Sequence, residues 1–300
     1  MSTTRVTAKI LAADAAAFLR FKRAMGMGYH RAEFVLNSFV HFVQDRWGKR
    51  PVALDEAVTR WVVRTEGRKA ITVSTEFGVV RQLCLFRRRQ DPHSFVPEHA
   101  LAPVKEPVFL PIILTYDEVI KLLGAATRHQ DRSLWGAMLR ALVLMLYCTG
   151  MRLGEATRLR VDDVDLEHAI LTIQRSKGRA RILAIRPDLV TELQQYLGHR
   201  ATVLSDTGSA DPGLLFIRLN GSGLSTQVAS NVLRRLLREL GLKPPRGRVG
   251  ARPYELRHAF AVHRLTAWAM EGADVHAKLP WLSAYLGHLD VLGTDSISKS

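Results

Sequence analysis

Apolar residues recur along this chain with two periods, and the breaks between them mark the elements. Residues 12–25 form a short amphipathic helix closed by Gly26 and Gly28. Residues 31–47 set Phe34, Val35, Ser38, Phe39 and Phe42 at helical spacing, and Gly48 and Pro51 end that segment. Asp55 is placed to cap a helix over residues 56–65, with Trp61 and Val62 facing inward. A fourth helix over residues 74–89 finishes in Arg87, Arg88 and Arg89. Residues 91–111 then lose all periodicity and carry Pro92, Pro97, Pro103, Pro107 and Pro111, the pattern of an extended, semi-rigid linker.

Beyond the linker the same helical period returns, interrupted once by alternation. Thr115 and Glu118 have the spacing of a capping box for a helix through Leu123. Residues 135–149 read as an apolar core helix ending at Gly150, and Glu155 opens another short one through Leu159. Residues 161–166 are acidic and turn-like. Residues 169–174 and 181–185 read as two β-strands, with Ser176, Lys177 and Gly178 at their turn. Pro187 starts a helix through Leu197, residues 205–213 are loop, and residues 214–218 are a short strand candidate. Residues 225–240 form a helix carrying Arg234, Arg235 and Arg238. A basic, glycine-rich stretch over residues 244–252 precedes the last helices, residues 254–270 and 279–286. The expected class is mainly α with a small β-sheet.

Composition narrows the partners. The 300 residues give a length prior of about two domains. A net charge of +15 points to a polyanion, with nucleic acid the first candidate, although a basic solvated surface gives the same number. The arginine run 87–89 has the same two accounts: favourable charge at a helix C-terminus, or contact with DNA phosphates. Cys84 and Cys148 sit in apolar surroundings, as buried thiols of a reduced cytosolic protein do. There is no metal-ligand spacing of cysteines or histidines, no signal-peptide pattern, and no apolar run long enough to span a bilayer.

Four basic residues in the second half carry the candidate chemistry. Arg152 lies in Cys-Thr-Gly-Met-Arg-Leu-Gly-Glu, Lys177 in Ser-Lys-Gly-Arg, Arg257 in Pro-Tyr-Glu-Leu-Arg-His and His288 in Tyr-Leu-Gly-His. Two guanidiniums, an ammonium and an imidazole suit the oxygens of a phosphodiester. Singly, each has a plainer reading. Arg152 pairs with Glu155 three residues on, Arg257 is a solvent-facing helix arginine, Lys177 is turn polarity, and His288 caps a helix end.

Together, in this order, the motifs resemble the tyrosine recombinase (phage integrase) family over about residues 110–295. Thr149, Gly150, Arg152 and Glu155 match its first arginine segment; Lys177 matches its hairpin lysine; Arg257 and His258 match its second arginine segment; Leu286, Gly287 and His288 match its Leu-Gly-His. Tyr254 stands where the family has histidine. The resemblance implies that Arg152 and Arg257 neutralise the scissile phosphate, that Lys177 protonates the leaving 5′-oxygen, and that His288 hydrogen-bonds the phosphate. Glu155, Tyr254 and His258 are supporting residues. The implied reaction is metal-free strand exchange through a 3′-phosphotyrosine, with no cofactor.

The family's nucleophilic tyrosine falls at about Ile297, and none of the six tyrosines (29, 116, 147, 196, 254 and 285) follows His288. The polar tail from Thr294 reads as the product of a frameshift, truncation or fusion. The expected organisation is a helical DNA-clamping domain over residues 1–95, a linker over 96–111 and a catalytic-type domain over 112–300, shortened at its C-terminus. The two lobes would form a C-shaped clamp on double-stranded DNA, with Arg87, Arg88, Arg89, Arg234, Arg235 and Arg238 as further DNA contacts. The expected function is DNA integration, recombination or transposition, with cleavage weak or absent in this chain. The alternative is a non-catalytic DNA-binding competitor or decayed mobile-element product. A carboxylate-metal nuclease would have to use the run Asp162, Asp163, Asp165 and Glu167. The expected setting is cytoplasmic, on the nucleoid when DNA-bound, away from membranes, with homo-oligomerisation on DNA weakened by the shortened tail.

Overall fold

The helical periods of the first hundred residues become α1 (Ala8–Ala24), α2 (His30–Trp47), α3 (Leu54–Val62) and α4 (Ala70–Arg88). A two-residue antiparallel pair, β1 (Arg5–Val6) and β2 (Val52–Ala53), ties the start of the chain to the start of α3. In this computed structural model residues 5–64, 67–101, 112–128, 133–174, 180–246 and 249–287 are described. The chain divides into two units, Met1–Phe109 and Leu110–Ser300.

Local chemistry sets the boundaries. α1 begins earlier than its apolar pattern because the Thr7 hydroxyl accepts from the Ile10 amide at 3.3 Å. Asp55 is not the cap of α3. Ala53 holds that position, and Asp55 lies in the first turn, where its charge suits the helix's positive end. Trp61 and Val62 are buried as their spacing predicts. Phe34 is not: it is 75% exposed, while Val35 and Phe39 beside it enter the core. Val35, Phe39, Leu54, Val58, Trp61 and Phe77 form one cluster, in which Phe39 meets Trp61 edge to face with ring centroids 5.4 Å apart. Phe95, Val96 and Leu101 pack against that cluster, and Arg81 Nε donates to the Pro97 carbonyl at 2.9 Å. The beginning of the proline-containing stretch therefore lies against the first unit; residues 102–111 fall outside the described residues.

The second unit is built on α6 (Ser133–Thr149), which packs against α5 (Tyr116–Arg128), α8 (Pro187–Thr207) and α10 (Glu255–Met270). Leu134, Met138, Leu139, Leu142, Met145 and Leu146 are buried, which accounts for the apolar character of this helix. None of the described helices is long and apolar enough to cross a membrane. The capping box at the start of α5 forms: the Thr115 amide donates to Glu118 at 2.8 Å, and the Glu118 amide to the Thr115 hydroxyl at 3.2 Å.

After the four-residue α7 (Leu153–Ala156), the acidic stretch is not only a turn. It contributes β3 (Val164–Asp165), paired antiparallel with β4 (Ile170–Ile173), which pairs with β5 (Arg181–Ala184). The register sets Leu171 opposite Leu183 and Ile173 opposite Arg181. Leu171, Ile173 and Leu183 are buried, so the sheet lays one face on the core. Arg181 shares that face with Leu183, two residues along. α8 runs well past the expected end at Leu197, to Thr207 and so into the expected loop, and ends at Gly208 with φ +59°. Residues 214–218 make isolated bridges rather than a strand, Leu214 with Arg160 and Ile217 with Gly223. α9 (Thr226–Glu239) and α11 (Val275–Leu286) are capped by Ser225 and Asp274.

Candidate active site

The site begins where α6 stops. Gly150 has φ +59°, and a Cβ there would lie 2.5 Å from Phe260 Cδ1 and 2.6 Å from Leu286 Cδ2. Only glycine fits, both for its backbone and for the close approach of α10 and α11. The turn delivers Arg152 to the start of α7. There the Arg152 amide donates to Glu155 Oε2 at 2.9 Å, and Arg152 NH1 donates to Glu155 Oε1 at 2.9 Å. The plain ion-pair reading of Arg152 is thus present in the fold, but it is part of something larger.

Glu155 is the hub. Its side chain is 1% exposed, and Arg181 joins Arg152 on it: Arg181 NH2 donates to Oε2 at 2.9 Å and NH1 to Oε1 at 3.3 Å. A carboxylate this buried requires such pairing. The same arginines also grip the end of α11. Arg181 Nε donates to the Tyr285 carbonyl at 2.9 Å, Arg257 NH2 to the Leu286 carbonyl at 3.0 Å, and Arg152 NH2 to the Gly287 carbonyl at 3.3 Å. Three guanidiniums therefore hold three consecutive carbonyls at a helix C-terminus, where orphan acceptors and the dipole favour cations.

Arg257 is not a solvent-facing arginine. It is 1% exposed, and its NH1 donates to the Gly150 carbonyl at 2.7 Å, which closes the ring of elements. Its pKa is lowered to about 10, chiefly by burial, with Arg152 and Arg181 acting in the same direction and Tyr254 and Glu155 opposing them. It remains charged at neutral pH.

The first turn of α10 makes a second cluster. Glu255, fully buried, accepts from Arg252 Nε and His258 Nδ1, both at 2.7 Å. Burial pushes its pKa up, but those hydrogen bonds outweigh burial and hold it below the ordinary value. With Nδ1 donating to Glu255, His258 is oriented by a carboxylate, as histidines that work on phosphates and metals are. Tyr254 is 42% exposed, with its ring edge-on to His258 at 4.8 Å. Lys177 and His288 lie outside the described residues, although Gly287, held by Arg152, is the chain neighbour of His288.

The sequence profile of the phage integrase family matches residues 113–294. This chain belongs to that family, the tyrosine recombinases of DNA recombination. It is similar to y4rB of Sinorhizobium fredii, a candidate integrase/recombinase, at 28% identity over 92% of this chain and 88% of that one. It is also similar to the tyrosine recombinase XerC of a Roseiflexus species, at 30% identity over 86% and 79%. Among solved structures, the XerH site-specific recombinase in its post-cleavage complex with a palindromic difH substrate matches with a TM-score of 0.70 at 18% identity, covering 99% of this chain and 94% of that one. The Tn1549 transposon integrase with transposon right-end DNA matches at 0.64 and 17%, covering 95% and 94%. At those identities the structural likeness concerns the fold, which is the mainly α, small-sheet class expected from the sequence.

The remaining candidates in this integrase-family chain are distributed. Arg87 is engaged with Asp14 and half buried, so it holds α4 to α1 rather than projecting outward. Arg88 and Arg89 are exposed, the latter over the Phe21 ring. On α9, Arg235 and Arg238 are exposed and Arg234 is partly buried, with Arg235 3.6 Å from Glu239. The acidic run is divided: Asp163 accepts from Gln174 and from the Arg160 amide, while Asp165 pairs with His168. Tyr285 is structural. Its phenol donates to the Ala184 carbonyl at 3.0 Å, and burial raises its pKa to about 12. Arg181, Arg252 and Glu255 were not anticipated as site residues. The signal for Arg181 was available, since an arginine two residues before Leu183 falls on the strand's inward face.

Proposed function

We propose that this chain binds duplex DNA and that Arg152 and Arg257 receive one backbone phosphate, with Lys177 and His288 completing the cage. The observation that carries this reading is the convergence of Arg152, Arg181 and Arg257 on the end of α11, around a single buried carboxylate. A phosphodiester brings the negative charge and the acceptor oxygens that such a cluster attracts, and guanidinium donors match its geometry. Preorganised donors of this kind contribute several kcal/mol to a charged transition state, ~3–4 kcal/mol each by analogy with oxyanion-hole deletions. His258, oriented by Glu255, braces the site or adds a further donor. The unit up to Phe109 contributes further phosphate contacts through Arg88 and Arg89, and α9 does so through Arg234, Arg235 and Arg238.

We further propose that cleavage by this 300-residue chain is weak or absent. No tyrosine follows Tyr285, whose hydroxyl is spent on a backbone carbonyl. Tyr147 is likewise raised to about 12 by burial and bonded to His263. The reading needs no metal and no cofactor, so chelation should leave DNA binding unchanged. Assembly on DNA would be as a homo-oligomer. A suicide duplex carrying a nick, which traps covalent intermediates, tests the reading on denaturing gels. Retarded duplex without a covalent adduct is the expected result. An adduct mapped to any tyrosine contradicts the cleavage-deficient reading, and no retardation contradicts the DNA-binding one.

A further inference from the structure

The pairing at Glu155 has a feature that the phosphate reading leaves unused. Arginine and carboxylate ordinarily pair through two parallel hydrogen bonds. Arg152 does not pair with Glu155 in that way. Its NH1 donates to Oε1, while Oε2 accepts from the Arg152 backbone amide and from Arg181 NH2, each at 2.9 Å. The second arm of Arg152 points instead to the Gly287 carbonyl. Arg181 is anchored on its far side by the Tyr285 carbonyl and packs over Gly287, where an added Cβ would lie 2.8 Å from Arg181 NH1. At 9% side-chain exposure, against 27% for Arg152, Arg181 is the inner member of the pair and Arg152 the outer one.

We propose that Arg181 is a positioning residue. By holding one side of the Glu155 carboxylate it keeps the Arg152 fork from closing onto Glu155, and so leaves that fork turned toward the bound phosphate. Without Arg181, the buried Glu155 carboxylate draws both arms of Arg152 onto itself, and the phosphate loses a contact. A lysine at position 181 cannot replace the fork. Its single ammonium cannot span both carboxylate oxygens and the Tyr285 carbonyl.

This inference rests on the phosphate-site reading, and one set of variants separates the two. The readout is the slope of log affinity against log salt for a short duplex, in which each lost phosphate contact flattens the slope by about 0.9. Arg152→Ala is the reference and should flatten it by that amount. Arg181→Met and Arg181→Lys should each match Arg152→Ala, and Arg152→Ala combined with Arg181→Met should fall no further. Glu155→Gln added to Arg181→Met should restore most of the slope, because the neutral amide no longer captures Arg152; a purely structural role predicts further damage instead. If Arg181→Met does not fold, Arg181→Lys carries the test. A wild-type slope in Arg181→Lys overturns the proposal, as does a second full decrement in the double variant, which would make Arg181 a direct phosphate ligand. No effect of Arg152→Ala itself overturns the phosphate-site reading and this proposal with it.

Discussion

Among the described residues, Glu76 and Glu155 each hold a pair of arginines, and the two pairs serve different ends. In the first unit, Arg64 and Arg68 both reach Glu76 Oε2 at 2.6 Å. Arg64 also donates to the Trp61 carbonyl and lies over the Trp61 ring at 3.9 Å. Exposure is nearly even across that cluster, at 15%, 19% and 14%. It is a brace between α3 and α4, folded back on its own helix ends. In the second unit, exposure is graded from 1% at Glu155 to 27% at Arg152, and a third, buried guanidinium stands alongside. Two arginines on a carboxylate are therefore no mark of a site. The marks are the gradient, which puts the negative charge inside and the positive charge outside, and the third cation, which adds positive charge beyond what Glu155 neutralises.

The largest effect expected from breaking this contrast is at Arg257. Replacing it by methionine strands the Gly150 and Leu286 carbonyls, and with about 1–3 kcal/mol for each buried acceptor left unmade the second unit should lose about 2–6 kcal/mol. Chemical denaturation measures this, and an unchanged midpoint would remove Arg257 from the account of both fold and site. Next, Glu76→Gln and Glu155→Gln should separate the two clusters. Each lowers stability by about 1–3 kcal/mol, but only Glu155→Gln should change the salt dependence of DNA binding, because the proposed phosphate lies at its arginines alone. Smaller again is the contrast within the arginine run. Arg87→Ala should lower stability by about 1–2 kcal/mol through its lost pairing with Asp14, read as a lower melting temperature, and leave DNA affinity alone. Arg89→Ala should do the reverse, flattening the salt slope by about 0.9. Equal effects of the two would contradict the assignment.

The smallest expected effect concerns pH. Glu255 has a folded-state pKa below its ordinary 4.5, because His258 and Arg252 hold the carboxylate against the opposing effect of burial. Its stabilisation is therefore fully present above the unfolded value and is lost as pH falls through the folded one. Melting temperature should decline below about pH 4.5, and Glu255→Gln should remove part of that decline. A rise in stability on acidification would show that the sign is wrong.

Much of this fold was legible because its signals are local. The Thr115–Glu118 capping box, the positive-φ Gly150 that ends α6, and the alternation of β4 and β5 each depend on residues a few positions apart. β3 escaped notice because a two-residue strand of mixed polarity has no period to detect. The far end of α8, beyond Leu197, escaped because Gly198 reads as a stop and Ser205, Asp206 and Thr207 face solvent and read as loop. The site divides along the same line. The pairing of Arg152 with Glu155 was readable at a spacing of three. The burial of Arg257 was not, since its partners lie 107 and 29 residues away. Arg87 was offered as a DNA contact, yet its partner Asp14 on a distant helix claims it. Arg181 sits between these cases: its inward register was readable, but its bond to the end of α11 depended on a contact 104 residues away.

Arg152, held at the end of α11, is expected to receive a DNA phosphate. The most direct measurement compares wild-type chain and Arg152→Ala for binding to one short duplex across a salt series, beside melting curves for both. The account predicts a wild-type fold with weaker binding and a slope flatter by about 0.9. An Arg152→Ala chain that folds normally and binds with wild-type affinity and slope would contradict it.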